Sequence, residues 1–144
     1  MSATDLPDLN VWLALADPDH EHHSRAESYW NHESANNMAF CRVTMLGILR
    51  LLTNRSIMRN NPFTPVQAWR TYRAFMALPE IVFLEETHVT EPRMASWSDT
   101  LGFSPQCWTD AWLAALALSH GARVVSFDTD FTSFQGLSFF HLKI

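Results

Sequence analysis

The chain of 144 residues has the length of one domain, and its 47% hydrophobic content beside 17% charged residues excludes a disordered or low-complexity polypeptide. A net charge of -5 argues, taken alone, against a nucleic-acid partner, because phosphate neutralisation drives most such binding. Cys41 and Cys107 are too few and too far apart for a disulfide scaffold or a CxxC site, and they read as buried thiols.

Asp8 follows a first short apolar stretch and precedes a helix. The apolar run Val11 to Ala16 is far short of a membrane span, and no basic, cleavable leader precedes it, so the reading is a cytoplasmic protein. Asp17-Pro18 has the form of an N-cap followed by proline at the first helical position, which predicts a helix through Ala26 and Tyr29 towards Asn31. Met38 to Val43 reads as a short buried strand, and Thr44 as the cap of an apolar helix, Met45 to Leu52. Thr64-Pro65-Val66-Gln67 is a capping box whose helix ends before Pro79, with Trp69, Tyr72 and Met76 on one face and Arg70 and Arg73 beside it. Ile81 to Leu84 is a second strand. A polar stretch from Glu85 leads to Thr109-Asp110 and a helix, Ala111 to Ser119, apolar nearly all round and ending at His120-Gly121. Val124 to Phe127 reads as a third strand and Leu137 to Leu142 as a last edge strand. Helices alternating with short apolar strands predict an α/β fold with a mostly parallel central sheet covered on both faces, and one domain over residues 1–144.

The charge is unevenly placed. Between Glu33 and Glu80 there is no acid, while Arg42, Arg50, Arg55, Arg59, Arg70 and Arg73 all fall there, so this tract carries +6 and the remainder -11. Arginine binds phosphate or carboxylate in a bidentate way. The plain alternative is a basic, solvated helical face.

In open α/β sheets the working residues gather at the carboxyl ends of strands. Asp8 fits that place, and so do Asp128 and Asp130, which directly follow an apolar strand. Asp110 opens the most buried helix. Singly, each is explained as a helix cap or turn residue. Several carboxylates converging at one sheet edge would repel one another unless a cation neutralised them, and oxygen-only ligands suit Mg²⁺ or Mn²⁺.

Leu6-Pro7-Asp8-Leu9-Asn10-Val11, Arg42-Val43-Thr44 running into Leu49 to Asn54, Thr109-Asp110-Ala111-Trp112-Leu113-Ala114-Ala115, and Ser126-Phe127-Asp128-Thr129-Asp130-Phe131 together resemble the PIN-domain ribonucleases of VapC type, the toxins of bacterial toxin-antitoxin pairs. The resemblance covers essentially the whole chain and keeps the order of its motifs. It implies a three-layer α/β/α sandwich, a homodimer, an acidic pocket that holds Mg²⁺ or Mn²⁺, hydrolysis of an RNA phosphodiester in a structured RNA such as tRNA or rRNA, and a cognate VapB-like antitoxin. Asp8, Asp110 and Asp128 match the family's catalytic acids, with Asp130 a further metal ligand. Asn10 matches the polar residue that supports the first acid, and Thr44 is placed with it in the supporting layer. Arg42, Arg50, Arg55, Arg70 and Arg73 are the RNA-binding candidates. The departure lies in the second motif, where the family usually has Glu and Gly47 stands. A PIN-like domain that binds RNA or antitoxin without cleaving is therefore the alternative.

Other signals are discounted. Asp17-Pro18-Asp19-His20-Glu21-His22-His23 lacks the HExxH spacing and reads as part of an exposed amphipathic helix. Asp128-Thr129-Asp130-Phe131-Thr132 matches the DxDxT motif of haloacid-dehalogenase-like phosphatases, but only twelve residues follow Thr132, too few for that fold's downstream parts. The clustered Trp residues, including Trp108 and Trp112, are expected in the core or at a dimer face rather than as a base-stacking platform.

Overall fold

The computed structural model describes residues 3–100 and 102–144. Five short strands, β1 (Thr4–Pro7), β2 (Asn37–Phe40), β3 (Ile81–Phe83), β4 (Arg123–Ser126) and β5 (Phe139–His141), form one sheet in the order β3-β2-β1-β4-β5. Every neighbouring pair is parallel. The expected α/β fold is present, with a sheet parallel throughout rather than mostly so.

The helices divide between the two faces. Helices α1 (Leu9–Ala16), α2 (His23–His32), α3 (Arg42–Leu52) and α4 (Pro65–Met76) cover one face, where Trp12 stacks on Phe40 with ring centroids 3.9 Å apart amid Val11, Ile48, Leu52 and Tyr72. Helices α5 (Thr90–Ser98) and α6 (Trp108–His120) cover the other, where Leu113, Ala114, Leu116 and Ala117 pack against Leu6, Val124 and Phe131. A parallel sheet needs both faces buried, which is why its strands read as continuous apolar runs.

Several boundaries differ from the sequence expectation for identifiable reasons. Asp17-Pro18 opens no helix: Asp17 ends α1, its carboxylate accepts from the Asp19 backbone N–H and the Arg59 guanidinium, and α2 begins only at His23. His20 and His22 accordingly lie in the turn before α2, half-buried, with His22 stacked on Phe127, so the exposed-helix reading of that run is corrected. The strand expected over Met38 to Val43 stops at Phe40, because Cys41 takes extended geometry as the cap of α3. Thr44 is not the cap residue but the third residue of that helix, whose hydroxyl accepts from the Cys41 N–H. Helix α5 falls in the polar stretch after Glu85 to which the sequence pattern assigns no element; only Thr90 and Trp97 of it are buried. The Thr64 to Gln67 box, the end of α6 at left-handed Gly121 and the edge position of β5 follow the sequence expectation.

Candidate active site

Strand order reverses about β1, which lies between β2 and β4 although the chain visits them far apart. Crevices at the carboxyl ends of strands on either side of such a reversal are where open α/β sheets bind ligands. Here the crevice is a cleft of about 560 Å³ lined by Asp8, Asn10, Thr44, Gly47, Arg50, Asp110 and Asp128, with Leu9, Leu13, Val43, Leu46, Leu51 and Leu113 as its apolar walls.

Each acid is delivered by a different element. Asp8 directly follows β1 and caps α1: its Oδ1 accepts from the Leu9 N–H at 2.7 Å, so the carboxylate lies at a positive helix end. Asp110 stands in the first turn of α6, where the helix dipole also favours negative charge. Asp128 follows β4 in an exposed turn, and Asp130 begins the short 3₁₀ turn Asp130–Ser133.

Ser126, the last residue of β4, ties these elements together. Its buried hydroxyl donates to Asp8 Oδ2 at 2.8 Å and accepts from the Asp128 N–H at 3.0 Å and the Asn10 Nδ2 amide at 3.2 Å. Asn10 Oδ1 in turn accepts from the Phe127 N–H at 3.4 Å. The expected supporting role of Asn10 thus runs through Ser126. Sequence reasoning missed Ser126; the signal was a hydroxyl on the inward register of an apolar strand, one residue before the loop that carries Asp128. Thr44 lines the cleft, but its hydroxyl bonds to Cys41 rather than to an acid.

The electrostatics are those of crowded, partly desolvated carboxylates. Burial raises the Asp8 carboxyl above its ordinary range, the Ser126 and Leu9 hydrogen bonds oppose that, and the charges of Asp128 and Asp130 add to it. Asp110 is pushed up to about 6 by burial and then by the charges of Asp8, Asp130 and Asp128. Asp128 and Asp130 therefore act on both Asp8 and Asp110, although Asp130 is not part of the cleft wall. Among the described residues no three His, Cys, Asp or Glu side chains are grouped so that they alone could hold a metal ion. An all-oxygen donor set, mutually repelling and open on one side, fits an ion that uses one or two carboxylates and keeps several waters, which is the habit of Mg²⁺.

The arginine candidates separate. Arg50 lines the same cleft as the acids. Arg42 lies over the Phe83 ring, 4.8 Å from its centroid, with one nitrogen 3.1 Å from Met45 Sδ. Arg55 is exposed in the turn after α3, and Arg70 and Arg73 stand on α4 beside Trp69. Arg59 is spent on Asp17 at 3.0 Å, so the tract offers one cation fewer than its composition implies. Gly47 is buried in the cleft wall, and a methyl group there would come within 2.5 Å of Leu9 Cδ2. Leu9 thus occupies the space that a longer side chain would use.

Comparison with known proteins agrees with this architecture. Residues 6–137 match the PIN domain family model. The chain is 36% identical over 137 residues to Ribonuclease VapC41 of Mycobacterium tuberculosis, covering 92% of this chain and 94% of that protein, and 33% identical over 125 residues to Ribonuclease VapC39 of the same organism, covering 87% and 88%. Among solved structures, VapC20 of Mycobacterium tuberculosis, described as a sarcin-ricin loop cleaving toxin, superposes with a TM-score of 0.66 at 18% identity over 90% of this chain and 93% of that one. FitAcB from Neisseria gonorrhoeae superposes at 0.65 with 21% identity over 95% and 96%. The reversal of strand order at β1, the acids placed around it and these relatives together show that the chain belongs to the PIN-domain family, in its VapC-type branch.

Proposed function

We propose that this protein is a single-domain, divalent-metal-dependent endoribonuclease toxin that hydrolyses phosphodiester bonds in a structured RNA, tRNA or rRNA, and is neutralised by a VapB-like antitoxin. The observation that carries the reading is the meeting of Asp8, Asp110 and Asp128 in one cleft, with Asp110 raised to about 6 by burial and its neighbours' charge. Such a set is costly as three free anions and comfortable around a cation. Its relatives named as VapC ribonucleases support the reaction class.

Asp8, Asp110 and Asp128, with Asp130 beside them, would hold Mg²⁺ or Mn²⁺, one or two of them directly and the others through the waters the ion keeps. A divalent ion there supplies Lewis-acid chemistry, lowering the pKa of a water and neutralising charge on the phosphoryl oxygens. Ser126 and Asn10 orient the Asp8 carboxylate and the Asp128 loop. Arg50, in the same cleft, neutralises charge on the phosphoryl oxygens as water attacks phosphorus; Arg42 and Arg55 extend the positive field along the approach. The apolar wall formed by Leu9, Leu13, Val43, Leu46 and Leu113 gives an antitoxin segment an apolar face to cover. Relatives of the same fold, VapBC2 of Rickettsia felis and FitAcB, support such a pairing. The protein acts in the cytoplasm as a homodimer; no helix among the described residues is long and apolar enough to cross a membrane.

The test is cleavage of purified tRNA and rRNA by antitoxin-free protein in Mg²⁺, Mn²⁺ or EDTA, beside Asp8→Asn prepared identically. Discrete products that require metal and vanish in the variant are expected. Gly47 favours a second reading, a domain that binds RNA or antitoxin without cutting. Intact RNA under every metal, with RNA still bound, would select it.

A further inference from the structure

Helix α4 carries a surface that the catalytic cleft does not use. Val66, Trp69, Arg70, Arg73 and Ala74 line a hollow of about 540 Å³, and their spacing places them along one face of a helix. Large apolar groups are open to solvent here: Val66 is 65% exposed and Trp69 39%. The Arg73 guanidinium lies over the Trp69 ring, 5.0 Å from its centroid, and the Tyr72 ring meets the same indole edge-on at 6.1 Å. A cation over one indole face and a steeply angled aromatic ring in contact with it both favour this placement of Trp69. No salt bridge among the described residues engages Arg70 or Arg73, and no acid occurs anywhere between Glu33 and Glu80.

We infer that this face of α4 is an RNA subsite outside the cleft, in which an unpaired base stacks on Trp69 while Arg70 and Arg73 hold the flanking phosphates. The inference rests on the nuclease reading for its ligand class and adds where, and through which chemistry, the RNA is held away from the reacting phosphate. A flat aromatic beside free cations is the arrangement that binds single-stranded nucleic acid without reading its sequence. Charge decides between RNA and a second copy of the chain. An isologous contact sets a surface against itself, so a dimer through this face would bring the arginine pairs of both copies together with no acid on the helix to separate them. An RNA backbone supplies the missing negative charge. The capping box at Thr64 and Gln67 closes the amino end of α4 with hydrogen bonds of 2.8 and 3.2 Å, which stabilises the helix that carries this face.

The experiment measures binding of a fluorescein-labelled single-stranded oligoribonucleotide of mixed sequence, and of a duplex of equal length, to full-length Asp8→Asn protein across a salt series. Trp69→Ala should weaken single-strand binding at least about fivefold while keeping the salt slope, and Trp69→Phe should restore most of it. The double replacement Arg70→Gln, Arg73→Gln should flatten the slope by about one unit or more of log K per log salt. In the cleaving protein, Trp69→Ala should raise KM and leave kcat in place. Unchanged affinity and slope in these variants, with cleavage intact, would overturn the subsite and spare the nuclease reading. A parent protein that neither binds nor cleaves RNA would overturn both. Loss of self-association in Trp69→Ala with RNA affinity kept would show that copies of the chain, not RNA, cover this face.

Discussion

The Ser126 hydroxyl donates to Asp8 Oδ2 at 2.8 Å across 118 residues of sequence, joining the ends of two strands that pair only in the folded sheet. Because this bond opposes the rise that burial imposes on the Asp8 carboxyl, Ser126→Ala should raise it further. A carboxyl that must be ionised to act is then protonated over a wider acidic range. The acid limb of the pH-activity profile should move to higher pH, with activity recovering in alkali, and the folded state should lose about 1.5 to 3 kcal/mol with a charge-assisted bond. Ser126→Thr keeps the hydroxyl and should restore the limb. A profile merely scaled down at every pH would show that Ser126 supports the fold alone.

Asp110 sets a second, opposite-looking dependence. Its folded pKa of about 6 lies above the ordinary value of 3.8, so without metal the folded state binds this proton more tightly than the unfolded chain. That contribution to stability is complete below about pH 4 and is lost as pH rises through about 6. The metal-free protein should therefore gain stability on acidification across this window. Asp110→Asn should remove that gain and raise stability at pH 7 by about 1 kcal/mol, a figure discounted for the group's partial exposure. Mg²⁺ or Mn²⁺ should stabilise the native protein at pH 7 and do so far less in Asp110→Asn. Melting temperatures at pH 4.5 and 7, with and without the ion, check both. Equal melting of the two proteins across that range would show that Asp110 is not electrostatically strained.

The residues that sequence alone made legible are those whose signal is local. The apolar run Ala111 to Ala117 and the strand before Asp128 could be little else than buried elements, and acids following strands of a parallel sheet converge by topology. Ser126 was not legible, since a serine ending an apolar strand looks like any other until β4 is laid beside β1. Asp17 shows the converse failure. Asp-Pro is a sound helix-start signal, but Arg59, 42 residues away, takes the carboxylate, and no local pattern contains that partner. Helix α5 was invisible because only two of its nine residues are buried, leaving no apolar period to read.

Towards the amino end of β1, Asp5 is fully buried and held by Arg123 through bonds of 2.8 and 2.9 Å, by the Tyr29 hydroxyl at 2.6 Å and by the Ala35 N–H at 2.9 Å. Removing one partner leaves a buried charge without its counterion. Arg123→Ala should cost about 3 kcal/mol and Tyr29→Phe about 1 to 2, measured by urea unfolding. This network braces β1 near its amino end while the reacting groups follow its carboxyl end. RNA cleavage per folded molecule should therefore be unchanged in Tyr29→Phe. A kcat that falls in step with stability would tie the network to the site.

Leu9 fills the place that Gly47 leaves open, its Cδ2 and Cδ1 lying 2.5 and 3.0 Å from where a Cβ would stand. Carbon atoms in contact prefer ~3.5 to 4.0 Å, so a side chain at 47 requires Leu9 to move. Leu9 Cδ atoms are the far end of a flexible side chain, and the helix gains from losing a glycine by about 0.5 to 1 kcal/mol. Gly47→Glu paired with Leu9→Ala should thus fold and place a further carboxylate in the cleft. Without metal the added charge should lower the melting temperature at pH 7, because it acts on acids already crowded. With Mn²⁺ the order should reverse, and half-maximal thermal stabilisation should need about tenfold less ion, the equivalent of about 1.4 kcal/mol in binding. Leu9→Ala alone, which opens the same space without adding charge, should leave the Mn²⁺ requirement where it is in the parent. An identical Mn²⁺ requirement in the double variant would mean that position 47 faces the cleft without reaching the ion, and that the glycine there weakens nothing.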